Sequence, residues 1–421
     1  MSAQFSRTRL TAAVCSMACI AVAASLSACG SSSSSSSGAG KAPPEVSTAI
    51  PKSGCGAVAT PQPPDPDGVM ASLPQIYKDN YAGYVPAVRK SPWASFKPDH
   101  PPPYKVAMAF AQLTTPSQVV MYNEIKKQFS NDSDYEFVGT TTGNQLNVPQ
   151  QIQQAQSLLQ QKPDLLLVEP LTDAFGPVTD KAAKMGIPVI SIQGTTDSKY
   201  AVNVQSNDFG SAAFTASAVA RQAEGKGNAM YVHAIASTSI DADSYKAATT
   251  VIKSCPGLKL VGETAGAFVP ATAKAETLKY LATHPGPVDV VFQTAGMAPG
   301  IIGAFEQAGR PVPPVMDIGV LKGSMGYWIN NPDTYNSTGA AFQATQISDG
   351  IVDIGKRILA GRGIKVSNVA FMLKPVTKSN LSKWADPNWD INTPGLADGP
   401  VNMTLTPEYL SGLFNDPAPA E

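Results

Sequence analysis

Histidine is scarce in this chain: His100, His233 and His284 are scattered over 421 positions. With so few imidazoles, set so far apart, no His-based metal centre is expected. Charge is thin as well, at 15% of residues, and balanced, with Lys+Arg 31 against Asp+Glu 32. A net charge of -1 offers no basic face to nucleic acid or to an anionic membrane surface. Catalytic signatures are missing too. The sequence has no Gly-x-Ser-x-Gly elbow, no Gly-x-x-x-x-Gly-Lys-Ser/Thr phosphate loop and no Cys/His metal spacing. Asp241 and Asp243 stand two apart, so on a helix they diverge and make a poor acid–base pair. A protein with no catalytic residue, no metal and no cofactor is expected.

Hydrophobic residues make up 43% of the chain, enough for globular packing, and 421 residues are too many for one ordinary core. Two lobes plus tails fit better. The opening segment reads as an address. Arg7 and Arg9 precede an apolar stretch, Leu10 to Leu26, which Ser and Gly end too early for a membrane span. It closes in Leu26-Ser27-Ala28-Cys29-Gly30, which resembles a bacterial lipobox. That resemblance implies a signal peptide over 1–28, lipidation of Cys29 and a lipid anchor holding the protein outside the cell membrane. The serine run Ser31 to Ser37 has nothing to bury and should behave as a leash. We expect a Ser/Pro-rich tether over 29–75 and an N-terminal extension over 76–103, with Tyr77, Tyr81, Tyr84 and Trp93 against the body.

Of the five cysteines, Cys15 and Cys19 lie in the segment to be removed and Cys29 is at the processing site. Cys55 and Cys255 remain. In an oxidising compartment they either form a disulfide that pins the extension to the body or stay two unrelated thiols.

From Tyr104 the pattern becomes regular. Lys105–Phe110 reads as a buried strand, followed by a helix with Met121, Ile125 and Phe129 on one face. Strands at 135–138, 165–168, 187–192 and 201–204 alternate with helices at 149–161 and 173–185. The continuous apolar run Leu165-Leu166-Leu167-Val168 is what a parallel sheet covered on both faces requires. A second series follows, with strands at 229–232, 258–262, 288–292 and 314–318 and helices at 210–224, 241–254, 272–283 and 299–308. Running the same β-α programme twice predicts two similar lobes rather than one large sheet. A last helix, 345–359, carries an apolar stripe of Ile347, Ile351, Ile354 and Ile358, and a strand at 366–373 follows.

Several segments together resemble the type I periplasmic binding proteins, in their ribose-binding-like branch, over about residues 104–376. They are Phe110-Ala111-Gln112-Leu113-Thr114-Thr115-Pro116, Leu167-Val168-Glu169-Pro170, Gly186-Ile187-Pro188-Val189-Ile190, Val204 to Gly210 and Ala340 to Ala344. The resemblance implies an α/β fold of two Rossmann-like parallel-sheet lobes joined by a three-strand hinge. Lobe 1 would span 104–206 plus 344–372, lobe 2 207–342 plus 374–383, and a tail 384–421. A small-molecule ligand would bind between the lobes of a monomer that delivers it to an ABC permease and its ATPase. Hinge closure would report occupancy.

Candidate contacts are the loop residues beyond the strands. From the first lobe they are Gln112, Thr115, Ser117, Gln118, Glu169 and Gln193. From the second they are Ser239, Asp241, Asp243, Thr294, Ala295 and Gly319, with Gln343 in a hinge strand. Asp241 also reads as a helix N-cap. Gln343→Ala is expected to weaken binding while leaving thermal stability nearly unchanged. The family's charged sugar contacts are replaced here by Gln193-Gly194, an Arg-free 239–244, Thr294-Ala295-Gly296 and Ile318-Gly319, and its aromatic pair by Ser117-Gln118. A ligand other than a typical sugar is therefore expected, and Glu169, Asp241 and Asp243 leave a cationic one open. Trp93, Trp328, Trp384 and Trp389 either line a pocket or pack internally. A receptor for a membrane sensor is the alternative role. A repressor of this fold would need a helix-turn-helix where the lipobox stands.

Overall fold

The computed structural model describes residues 41–110, 113–141, 147–170, 172–236, 238–401 and 404–415. The signal peptide, Cys29 and Gln112 lie outside the described residues. After a short helix α1 (Gln75–Asp79) come β1 (Tyr104–Phe110), α2 (Pro116–Ser130), β2 (Tyr135–Thr141), α3 (Val148–Gln160) and β3 (Leu165–Val168). Next are α4 (Gly176–Lys184), β4 (Val189–Ile192), β5 (Ala201–Ser206), α5 (Asp208–Gln222), β6 (Lys226–His233) and α6 (Ser239–Ser254). Then follow β7 (Gly257–Ala265), α7 (Pro270–Thr283), β8 (Val290–Gln293), α8 (Ala298–Gln307), β9 (Met316–Ile318) and α9 (Lys322–Asn330). The chain ends through β10 (Thr338–Ala341), α10 (Ala344–Leu359), β11 (Asn368–Phe371), β12 (Lys374–Val376) and α11 (Pro407–Leu413).

Among the described residues, one sheet runs β11-β5-β4-β3-β1-β2, with every pairing parallel. The other runs β7-β6-β8 and, through a parallel bridge from Val291 to Val315, on to β9-β10-β12, where only β12 is antiparallel. Strands covered by helices on both faces have no solvated side, which is why β3, β4 and β8 are buried at every position. The isoleucine stripe of α10 goes inward as its spacing requires: Ile347, Ile351 and Ile354 are 0% exposed and Ile358 1%. Burying each contributes about 1.5–3 kcal/mol. Gly361, at φ +73, ends that helix in a conformation glycine adopts freely.

The chain passes between the sheets at 206–208, 341–344 and 371–374, which gives the three-strand hinge. The termini add two further straps. Residues 41–75 are packed on the body rather than free as a tether, because they carry their own apolar and covalent anchors. Met70 and Leu73 are buried, Arg221 holds the Ser47 and Ala49 carbonyls, and Cys55 is disulfide-bonded to Cys255. The strap then crosses to the first sheet, where Tyr81 donates to the Asn368 carbonyl and Trp93 to that of Tyr200. The tail runs the opposite way. Residues 384–397 lie on α9, whose Gly323 and Gly326 leave no room for a side chain: an added Cβ would sit 2.5 Å from the Ile391 carbonyl and 2.6 Å from the Trp389 backbone. Beyond 404, Leu405, Leu410, Leu413 and Phe414 join the core of the first lobe. Trp93, Trp328 and Trp384 are buried in packing, and Trp389 packs partly buried against the second core. No helix among the described residues is long and apolar enough to cross a membrane.

Candidate ligand-binding site

A cavity of about 660 Å³ lies where the carboxyl ends of both sheets face one another. Open α/β sheets put ligands there, because strand ends and helix starts meet in loops free to carry specificity. From the first lobe it gathers Thr115, Ser117, Gln118, Glu169 and Gln193, and from the second Ser239, Ala295 and Gly319. Phe268, Phe342 and Leu373 supply apolar wall, and Leu396 of the tail reaches it as well.

The start of α2 is organised by its own cap. Thr115 accepts from the Gln118 amide while the Gln118 side chain accepts from the Thr115 N–H. The Gln118 side chain also donates from Nε2 to Glu169 at 3.3 Å, which orients that carboxylate at the cavity wall. Gln193 follows β4 with φ +54, in the left-handed region that costs a non-glycine residue energy. Its Oε1 accepts from Ser206, and its buried Nε2 has no partner among the described residues.

Asp208, which the sequence reading passed over, opens α5 at the hinge and lines the cavity. Burial pushes its carboxyl up to about 7, the Asp243 charge adds to the rise, and a hydrogen bond from Ser206 opposes it. Asp243 lies outside the main cavity, in an adjoining recess of about 130 Å³ that Asp208 also lines. Burial pushes Asp243 up as well, against the pull of Lys246.

Thr294, Asp241 and Gln343 fall outside the cavity lining. Asp241 is no N-cap: Thr238 holds that position, and Asp241 sits in the first turn of α6. Its carboxylate accepts from the Ala234 N–H at 2.8 Å, from the Thr294 hydroxyl and from His233 Nδ1 at 2.9 Å. Tyr231 meets the Thr294 hydroxyl at 3.1 Å, so Thr294 is fully engaged and 0% exposed. Gln343 fastens the tail. Its Nε2 donates to the Pro400 carbonyl at 2.6 Å and the Asp398 carbonyl at 3.2 Å, and its Oε1 accepts from Thr404 at 2.8 Å. The expectation for Gln343→Ala therefore reverses. Unfolding titrations should register a loss of about 1–3 kcal/mol, since two carbonyls and a hydroxyl lose their partner. Ligand affinity should stay within about twofold. A large affinity loss at unchanged stability would restore the hinge-contact reading.

Outside the cleft, His100 lies 2.9 Å from Asp164 with Asp99 nearby, an exposed grouping in which Asp164 already accepts the Lys105 N–H.

A family model described as a periplasmic binding protein domain matches residues 104–362. The chain belongs to that family. As a periplasmic binding protein it falls in a class that binds solutes outside the cytoplasm and is not catalytic. The solved structures agree on the fold. A solute-binding protein of an ABC transporter from Thermobispora bispora is 23% identical, covering 70% of this chain and 90% of its own at a TM-score of 0.60. One from Bacillus halodurans, solved with bound myo-inositol, is 17% identical, covering 68% and 99% at a TM-score of 0.61. The fructose-binding periplasmic domain of a hybrid two-component system is 17% identical, covering 66% and 92% at a TM-score of 0.58. No curated protein matches the chain.

Proposed function

We propose that this periplasmic binding protein is the lipid-anchored substrate-binding component of an ABC importer. It captures a small solute between its lobes, closes about the hinge and presents the closed form to a permease and its ATPase. Cys29 would carry the anchor. The solute is not a typical sugar, and the protein does not turn it over. The observation that carries this reading is the cavity at the carboxyl ends of both sheets, walled by residues from each lobe. Its size suits a small metabolite. Beyond β4, β8 and β9 the wall holds Gln193, Ala295 and Gly319, and among the described lining residues there is no arginine to make paired bonds to adjacent hydroxyls.

A thermal-shift screen of the full-length protein against sugars, polyols, amines, nucleosides and apolar metabolites tests the proposal. A solute at about a hundredfold its dissociation constant should stabilise by about 3 kcal/mol. Stabilisation only by common pyranoses or furanoses would sink the claim of altered specificity, and chemical conversion of a bound solute would sink the non-catalytic reading. The sensor alternative has the fructose-binding two-component domain in its favour. Deletion of the gene separates the two: an importer component abolishes uptake of the stabilising solute, whereas a sensor component leaves uptake and abolishes the transcriptional response.

A further inference from the structure

The charged side chains on this cleft are acids. Among the described residues, the main cavity is lined by Glu169, Asp173 and Asp208 and by no lysine, arginine or histidine. The adjoining recess brings Asp208 and Asp243 together with the Ser239 and Thr195 side chains, and Tyr84 closes it from the N-terminal strap. A second feature points to a polar ligand. Ser244, on α6 and 1% exposed, contributes to the cavity wall, yet its hydroxyl has no hydrogen-bond partner among the described residues. The Nε2 of Gln193 on the opposite lobe is buried and unpartnered in the same way. Buried polar atoms are nearly always paired, and these two belong to residues that line the same cavity, where polar atoms of a bound molecule can partner them once the side chains rotate.

We propose that the cleft takes a small polar solute carrying a protonated amine, with the ammonium seated in the recess between Asp208 and Asp243 and the polar body in the main cavity. This rests on the cleft being the solute site. Two carboxylates in one recess repel each other when ionised, and withdrawal from water adds to the cost. Lys246 pulls on Asp243 and is not among the groups that act on Asp208. A ligand ammonium offsets both terms and makes charge-assisted hydrogen bonds. The rise of Asp208 to about 7 and the upward shift of Asp243 fit such a seat, with Tyr84 the other titratable group at the recess. Because the ammonium favours the ionised carboxylates, affinity should increase from about pH 6 to about pH 8.

The test is calorimetric titration of the full-length protein with two matched pairs, 1-amino-1-deoxy-D-sorbitol against D-sorbitol and an amino-deoxy-inositol against myo-inositol, with choline and putrescine added. The amine of at least one pair should bind about tenfold or more tighter than its neutral partner. The combined Asp208→Asn and Asp243→Asn variant should erase that preference. If the double variant melts far below the parent, Asp243→Asn alone, at a half-buried position, should still narrow the gap by about threefold or more. Neutral partners binding as well as the amines, or an amine preference that survives in these variants, would overturn the ammonium seat and leave the solute-binding reading intact. Binding by none of the compounds would likewise overturn the ammonium seat, while the solute-binding reading stands or falls on the broader thermal-shift screen.

Discussion

Asp241→Ala will cost about 3–5 kcal/mol of stability, because one carboxylate serves three buried or half-buried donors. The Ala234 N–H, the Thr294 hydroxyl and the His233 ring all point at it, and Asp241 itself is 2% exposed. Ala234 and Thr294 are buried, so two of the three donors are left without an acceptor, while the half-buried His233 ring can turn to water. The arrangement joins the end of β6, the first turn of α6 and the end of β8, which is why one side chain matters so much: it ties three cavity-forming segments together. Its charge near the start of α6 adds a favourable term with the helix dipole. Asp241→Asn keeps one carbonyl oxygen and can turn its amide toward a neutral His233, so its loss should be less than half as large. Urea unfolding of the two variants beside the parent reads both numbers. A loss below about 1 kcal/mol for the alanine variant would mean that the network relaxes around a new acceptor and does not hold the loop.

The α/β alternation was legible because it is periodic. The α10 stripe of Ile347, Ile351, Ile354 and Ile358 and the apolar run of β3 are local patterns, and burial follows them residue by residue. Helix α9 was not legible: Gly323 and Gly326 lower its propensity, and they are there because the tail backbone lies on them. Contacts of that kind have no period. Gln343 meets Asp398 across 55 positions and Pro400 across 57, and nothing in either segment announces the other. Residues 41–75 misled for a related reason. Their proline-rich composition reads as linker, while their anchoring depends on Cys55, Met70 and Leu73 meeting distant surfaces. In the cleft, the loops beyond strands could be named from the fold, but Asp208 looked like part of a crossing. Its role appears only when Asp243, on another lobe element, is brought to the same recess.

Stability should also fall with rising pH through one residue remote from the ligand. Asp317, on β9 in the second lobe, is 2% exposed, and its Oδ1 has no partner among the described residues. Burial pushes its carboxyl from an ordinary 3.8 up to about 7, and the nearby Ser324 hydroxyl only partly opposes this. The folded state therefore holds a proton that the unfolded chain has already released. A group of this sign contributes stability that is complete below about pH 4 and is lost as pH climbs through about 7. The difference between 3.8 and about 7 corresponds to roughly 4 kcal/mol as an upper figure. Asp317→Asn keeps the shape of the neutral acid and cannot ionise. Relative to the parent, the variant should gain about 2–4 kcal/mol on going from about pH 4 to about pH 8. Asp208, the other acid raised to about 7, is present in both proteins and cancels in the difference. Paired unfolding titrations across that range supply the measurement. A parent-to-variant difference that stays flat with pH would show that Asp317 stays ionised in the folded lobe, with a polar partner that lowers its carboxyl back to the ordinary range.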